Sequence, residues 1–199
     1  MSRFRTPTRL IGSGGVLLAL LLTGGCRGDS ADRPEEVPAA PPAPGTPFTL
    51  RELRQAAYPS DLLDGAALTL HDGVYPTPGS VGEVEAGMEL IEPVALGTLP
   101  GVGPVAAVVI RESGGGTGTF SWLHLIVRTS GRPSVAASAY LGDRVELTGL
   151  RFLTDTIEVR LVTQGPSDPL CCPTLVVDRW FLREGTSSTL RELGESGKR

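Results

Sequence analysis

Apolar side chains recur at every second residue through most of the region from 67 to 183, and clusters of Gly, Pro, Asp and Ser separate the alternating segments. A period of two is typical of β-strands, because successive side chains of a strand point to opposite faces. The pattern predicts eight strands, at 67–71, 89–96, 105–111, 120–129, 134–141, 145–152, 156–163 and 175–183. Ahead of them, residues at helical spacing follow the capping residue Thr49 and predict one short helix over 49–57.

Short connections indicate how the strands pair. The links at 130–132, 142–143 and 153–155 are two or three residues long, whereas parallel neighbours need a crossover of a dozen or more residues. The segment 120–129 is apolar on both faces, which predicts a central strand. We therefore expect a mainly β (α+β) fold, an antiparallel meander of about eight strands with one short N-terminal helix, folded as a sandwich or a partly open barrel.

The length from 48 to 184 suits a single β-rich domain, and the 40% hydrophobic content of the chain is enough for a core. Beyond it, residues 185–199 are polar apart from Leu190 and Leu193. We expect this segment to be a frayed polar tail.

The first 25 residues predict an export signal. Arg3, Arg5 and Arg9 precede the apolar run 16–22, and this order is typical of a signal peptide. The run is much shorter than the roughly 20 residues that span a bilayer. Three small residues then lead to Cys26, whose sulfur we expect to carry a diacylglyceryl group that holds the mature chain at a membrane.

The segment before Cys26 departs from the usual lipoprotein pattern at one point, which leaves an alternative open. Leu22 lies four residues before Cys26, whereas the usual lipoprotein pattern places leucine three residues before the cysteine. The alternative is an ordinary secretory signal, with Cys26 a free thiol. The segment 26–47 favours the lipid anchor, because its six prolines and few apolar residues predict an extended, disordered tether between membrane and domain.

The net charge of the mature chain restricts the classes of molecule that it is expected to bind. Removal of residues 1–25 takes away three arginines and leaves 15 basic and 22 acidic residues, a net charge near −7. An acidic chain repels phosphate backbones and anionic headgroups, which argues against nucleic acid as a partner. The expected partners are the membrane, through Cys26, and an envelope protein; a small-molecule ligand stays unidentified. Arg27 directly after the cysteine indicates the outer membrane if the cell has two membranes.

Cys171 and Cys172 are the only other cysteines, so in an exported monomer each is the other's only partner. A bridge between them closes a strained eight-membered ring, because α-carbons across a trans peptide lie about 3.8 Å apart. Three interpretations stay open: a vicinal disulfide that stiffens a loop, two buried thiols, and a redox or metal site. No second Cys/His cluster accompanies the pair, which disfavours the third.

Other candidate motifs carry little chemistry. The glycine-rich stretch 113–119 lacks the lysine of a phosphate loop and is expected to join two strands. His124 lies in a strand and is expected to be a core histidine, since no Gly-x-Ser-x-Gly elbow accompanies it. Trp122, Tyr140 and Trp180 could line a ligand pocket between sheet and helix, although ordinary core packing is the favoured explanation for all three.

Three sequence stretches, taken in order along the chain, resemble those of one protein family. The stretches 116–120 (GTGTF), 141–145 (LGDRV) and 161–174 (LVTQGPSDPLCCPT) look like those of bacterial envelope lipoproteins without an assigned activity, whose members sometimes carry a META-type (HslJ-like) domain. The resemblance implies an exported β-rich domain and supplies no catalytic residue. Members often show a metal-type loop where this chain has 98–106. Here Thr98, Pro100, Val102 and Ala106 replace the oxygen ligands, so we expect no calcium site.

We therefore expect a lipid-anchored cell-envelope protein with a noncatalytic binding or scaffolding domain. No catalytic, metal-binding or cofactor-binding residue is predicted. The alternatives are a thiol-dependent redox enzyme that uses Cys171 and Cys172, and a small-ligand binder of the envelope.

Overall fold

The computed structural model describes residues 45–76, 87–169 and 171–198. The predicted signal at 1–25, Cys26 and the tether as far as residue 44 lie outside them. The described residues form α1 (Leu50–Leu53), β1 (Ala57–Pro59), a 3₁₀ turn (Asp61–Leu63), β2 (Ala67–Thr69), β3 (Val74–Pro76), β4 (Gly87–Leu99), β5 (Gly103–Ser113), β6 (Phe120–Thr129), β7 (Arg132–Asp143), β8 (Glu146–Leu153), β9 (Thr156–Thr163), β10 (Leu175–Arg183) and β11 (Leu190–Lys198).

Two large sheets dominate the domain. One has the strand order β3-β4-β5-β6-β7 and the other β11-β10-β9-β8, while β1 and β2 form a separate two-stranded sheet. Every neighbouring pair is antiparallel. The predicted mainly β, antiparallel fold with one short helix is confirmed, and the two sheets enclose a shared core as a sandwich does.

The core between the sheets is made by alternate residues of their facing strands, as the period of two requires. Small and branched side chains of β5 and β6 pack against β9 and β10 there. Its buried members are Ala95, Val105, Ala107, Val109, Leu123, Leu125, Ala137, Ala139, Leu141, Val145, Leu147, Ile157, Val159, Leu161, Val177, Phe181 and Leu190.

A second core lies on the other face of the five-stranded sheet. Residues 105–110 of β5 are all buried, so both faces of this strand need a cover. The segment from Phe48 to Leu70, here called the N-terminal cap, covers the second face with α1, β1, the 3₁₀ turn and β2. Leu53 and Tyr58 of the cap pack in one cluster with Val108 and Ile110 of β5.

Arg128 of β6 anchors the start of the cap. Its guanidinium donates to Glu52 Oε1 at 2.9 Å and to the carbonyl oxygens of Thr46 and Pro47 at 3.0 Å each. The same group lies 4.4 Å from the ring centre of Phe48. Only 9% of the Arg128 side chain is exposed, so these charge-assisted contacts form in a largely dry place where they are stronger than in water.

The predicted helix over 49–57 is shorter in the structure. Thr49 and Glu52 form a reciprocal capping box, and α1 then ends at Leu53. The residues after it form β1, which pairs with β2 from Ala57↔Thr69 to Pro59↔Ala67. Pairing of residues 57–59 with β2 overrides their helical pattern.

The link at 142–143 was expected to join antiparallel neighbours, and this is wrong. Strand β7 belongs to the five-stranded sheet and β8 to the four-stranded one, so the chain changes sheet here. Gly142 has φ +141°, and a Cβ at this position would lie 2.8 Å from Cγ1 of Val145. Only glycine fits this corner. The length of a link does not report which sheet the next strand joins.

The expectation of a frayed tail over 185–199 is also wrong. Strand β11 pairs with β10 along its whole length and forms the edge of the four-stranded sheet. Residues 191–197 are exposed, as suits an edge strand, and only Leu190 enters the core. The two short strands β1 and β3 were not predicted either. Within the described ranges, we find no helix with the length and apolar character needed to cross a membrane.

Leu190 and Leu193 offer a matched test of β11. Leu190 is 3% exposed and Leu193 is 46% exposed. We expect Leu190→Ala to lower the free energy of unfolding by about 2–4 kcal/mol, because it leaves a cavity in the shared core. Leu193→Ala should change it by less than about 0.5 kcal/mol. Urea unfolding followed by circular dichroism measures both, and equal small effects would contradict the docking of β11.

Candidate functional site

A cleft of about 100 Å³ lies between the N-terminal cap and the five-stranded sheet. Larger depressions also occur, and one of about 430 Å³ shares Pro59 and Ser138 with this cleft. This cleft is singled out because two of its lining residues carry buried nitrogens without a hydrogen-bond partner in the described part of the chain. It is lined by Pro59, Ser60, Asp61, Gly65, Glu112, Trp122, His124 and Ser138.

Strand register brings the sheet residues of the cleft together. On β6, Trp122 and His124 are two residues apart and therefore share a face. Across β6 and β7, Trp122 pairs with Tyr140 and His124 pairs with Ser138. The cap covers this face of the sheet, so the four side chains meet beneath or beside it.

His124 is 1% exposed and uses one of its two ring nitrogens. Nδ1 lies 2.7 Å from Oγ of Ser138, while Nε2 has no partner among the described residues. Burial lowers the pKa of His124 to about 3, because desolvation penalises the charged imidazolium. The ring is therefore neutral at pH 7.

Trp122 is half-buried beside Tyr140, with ring centres 5.0 Å apart. Its Nε1 is buried and has no partner in the described chain. An indole nitrogen can only donate, so the missing partner has to be an acceptor.

Glu112 of β5 ties the cap to the sheet at the edge of the cleft. Its carboxylate accepts a 2.8 Å hydrogen bond from Oγ of Ser60 and longer ones from the amides of Asp61 and Leu62, at 3.3 and 3.4 Å. The two amides belong to the first turn of the 3₁₀ segment, where backbone donors lack partners within the helix. Glu112 is 1% exposed, and these contacts satisfy its buried oxygens.

The contact of Ser138 with His124 does not form a working catalytic pair. A general base operates best with a pKa near the working pH, and burial holds the pKa of His124 at about 3. A Ser-His-Asp arrangement also needs a carboxylate on the second ring nitrogen, and Nε2 has no such partner among the described residues. This geometry suits binding better than proton transfer.

The structure brings together two of the three aromatic residues that the sequence suggested for a pocket. Trp122 and Tyr140 are neighbours, whereas Trp180 lies on β10 of the other sheet, across from Glu158. His124 is a core residue as expected, with one nitrogen unsatisfied. Glu112, Ser60 and Ser138 were missed, because no local pattern marks residues that meet only through long-range packing.

The sulfur atoms of Cys171 and Cys172 lie within disulfide-bonding distance of each other. Both residues are exposed, which disagrees with the interpretation as two buried thiols. Their loop is held by Asp168, which accepts from the amides of Gly165 and Thr174 at 2.8 and 2.7 Å. These hydrogen bonds lower the pKa of Asp168. The loop therefore has its own support beside the cysteine bridge.

No site for a metal ion made of three or more His, Cys, Asp or Glu side chains occurs within the described residues. Comparisons with known proteins add no relative: no family model, no curated protein and no solved structure matches this chain.

The buried histidine predicts a pH dependence of stability. The folded pKa of His124 is about 3 and its ordinary value is about 6.5, so between these values the unfolded state binds more protons. The stability that the neutral ring permits is present above pH 6.5 and is lost as the pH falls. We expect the His124 contribution to cost about 2 kcal/mol between about pH 7 and pH 5.

Urea unfolding across this pH range measures the effect. His124→Gln should flatten the slope, while the control His71→Gln, at an exposed position, should leave it unchanged. An unaltered slope in His124→Gln would show that burial of this ring does not set the acid sensitivity.

Proposed function

We propose that this chain is a lipid-anchored cell-envelope protein whose sandwich domain binds a small ligand without converting it. The single observation that carries the binding role is a pair of buried nitrogens on one cleft, Trp122 Nε1 and His124 Nε2, which have no hydrogen-bond partner among the residues that the structure describes. The lipid anchor is proposed from Cys26 and the signal-like residues before it.

Energetics supports a ligand in the cleft. A buried polar group without a hydrogen bond costs about 1–3 kcal/mol, and native proteins contain few of them. Two such groups on neighbouring positions of one strand concentrate this cost in a single place. A bound molecule that supplies hydrogen-bond partners to both nitrogens removes this cost, and the free energy gained contributes to the affinity of the ligand.

The architecture around the cleft supports binding rather than catalysis. Glu112 and Arg128 hold the cap at two separate points, so the walls are formed before a ligand arrives. A preformed pocket with a few well-placed polar groups is typical of small-molecule binding. The depressed pKa of His124 removes the one histidine of the cleft from acid–base work at neutral pH.

A second candidate function is thiol–disulfide chemistry at Cys171 and Cys172. Exposure of both residues favours it, because reductants reach exposed sulfur atoms. The anchoring of the loop by Asp168 also means that the bridge can open without freeing the whole segment. Alkylation of the protein under mild reduction tests this candidate separately.

Mass spectrometry of the mature protein purified from its own membrane fraction tests the main proposal, with a digest to examine the anchor and native spectra to detect the ligand. We expect acyl mass on the N-terminal Cys26 peptide and a noncovalent small-molecule adduct of constant mass. Trp122→Phe should lose the adduct, because it removes one of the two nitrogens that the ligand is proposed to bind. The matched variant Trp180→Phe alters the other sheet and should keep it.

Two results would overturn parts of this proposal independently. An unmodified N-terminus at another residue removes the anchor. Absence of any adduct in the unaltered protein, or its persistence in Trp122→Phe, removes the ligand-binding role of the cleft.

A further inference from the structure

We propose that the ligand of the cleft is an uncharged saccharide, with its oxygens bound to Trp122 and His124 and one sugar face packed on Tyr140. This inference rests on the proposed binding function and names the class of ligand. It is argued from the hydrogen-bonding needs of the two nitrogens, the aromatic surface beside them, the charge of the lining and the size of the cleft.

The two nitrogens have different requirements that a hydroxyl group meets together. Nε1 of Trp122 only donates and needs an acceptor. Nε2 of His124 donates if Nδ1 accepts the hydroxyl proton of Ser138, and accepts in the other tautomer. A hydroxyl both donates and accepts, so a molecule with adjacent hydroxyl groups satisfies the pair in either tautomer.

An exposed aromatic surface adjoins the cleft. Tyr140 is 44% exposed and stacks at a tilt against Trp122, and Phe120 on the same face of β6 is 36% exposed. Aromatic rings with one wet side suit ligands that are apolar on one face and polar at the edge. A pyranose ring has this character, because its C–H bonds lie on the faces and its hydroxyl groups at the rim.

Charge around the cleft disfavours ionic ligands. None of the eight lining residues is Lys or Arg, while Asp61 and Glu112 are acidic. The pKa of Tyr140 is raised by burial and further by Asp143 and Asp61, which indicates a negative local field. Anions are therefore repelled. The field does not repel a cation, but an ammonium group only donates and offers no acceptor to the indole N–H.

The size of the cleft limits what enters it. About 100 Å³ is the space of a few water molecules, each of which takes about 30 Å³ in the liquid. Only one edge of a sugar, with its hydroxyl or carbonyl oxygens, reaches the two nitrogens. The rest of the ring stays outside over Tyr140, which leaves room for a longer chain of sugars.

The chain contains two tryptophans, which allows a direct test. In Trp180→Phe, Trp122 is the sole tryptophan, and its fluorescence reports on the cleft. Three probes share the same pyranose ring and differ in charge: N-acetylglucosamine is neutral, glucosamine is cationic at C2 and glucuronate is anionic at C6. We expect N-acetylglucosamine to change the Trp122 emission with saturation, and to bind at least tenfold more tightly than glucuronate, whose carboxylate the acidic lining repels, and no more weakly than glucosamine.

Two variants in the Trp180→Phe background locate the binding. Tyr140→Ala should weaken N-acetylglucosamine binding at least fivefold, since it removes the exposed ring under the sugar. The control Val176→Ala removes an exposed side chain of similar accessibility, 37%, from the other sheet and should have no effect. Circular dichroism checks that both variants are folded.

Tighter binding of glucosamine or glucuronate overturns the inference, and so does the absence of a response to all three sugars. If the native adduct is nevertheless present, only the class of ligand is wrong. If the adduct is absent as well, the binding function fails too, and ordered water satisfies the two nitrogens.

Discussion

Burial of β5 on both faces is the constraint on which the rest of this domain depends. Residues 105–110 form a continuous apolar run, and a strand of this kind needs a cover on each side. The four-stranded sheet supplies one cover and the N-terminal cap the other. The cap contains little regular structure, and hydrogen bonds with two charged side chains fix it to the sheet. Arg128 donates to the start of the cap, and Glu112 of β5 accepts from the residues around the 3₁₀ turn.

The same constraint creates the candidate site. A cap of short elements cannot match the flat face of a sheet as closely as another sheet does, and the mismatch leaves a cleft over Trp122 and His124. There the usual satisfaction of buried polar groups fails at two nitrogens. The two unsatisfied nitrogens lower the stability of the fold at this one place between the cap and the sheet. Such a local loss of stability is typical of binding sites rather than of structural cores.

The two candidate functions lie on separate parts of the sandwich. The cleft belongs to the outer face of the five-stranded sheet, whereas Cys171 and Cys172 lie in the loop between β9 and β10 of the other sheet. Asp168 supports that loop through hydrogen bonds from the amides of Gly165 and Thr174. Variants at one place therefore test one function without disturbing the other.

Local pattern alone determined much of the fold. The strands at 120–129, 156–163 and 175–183 were predicted with their observed bounds, because alternation is a property of consecutive residues. The short α1, the change of sheet at Gly142 and the pairing of β11 depended on contacts between strands, which the pattern within one segment does not encode. The candidate site was likewise only partly predictable from the sequence. Its aromatic residues were suggested for a pocket, but the contact of Glu112 with Ser60, 52 residues away, arises only when the cap packs on β5. Sequence periodicity specifies which residues form strands, and only through-space packing decides which strands meet and which polar groups stay unsatisfied.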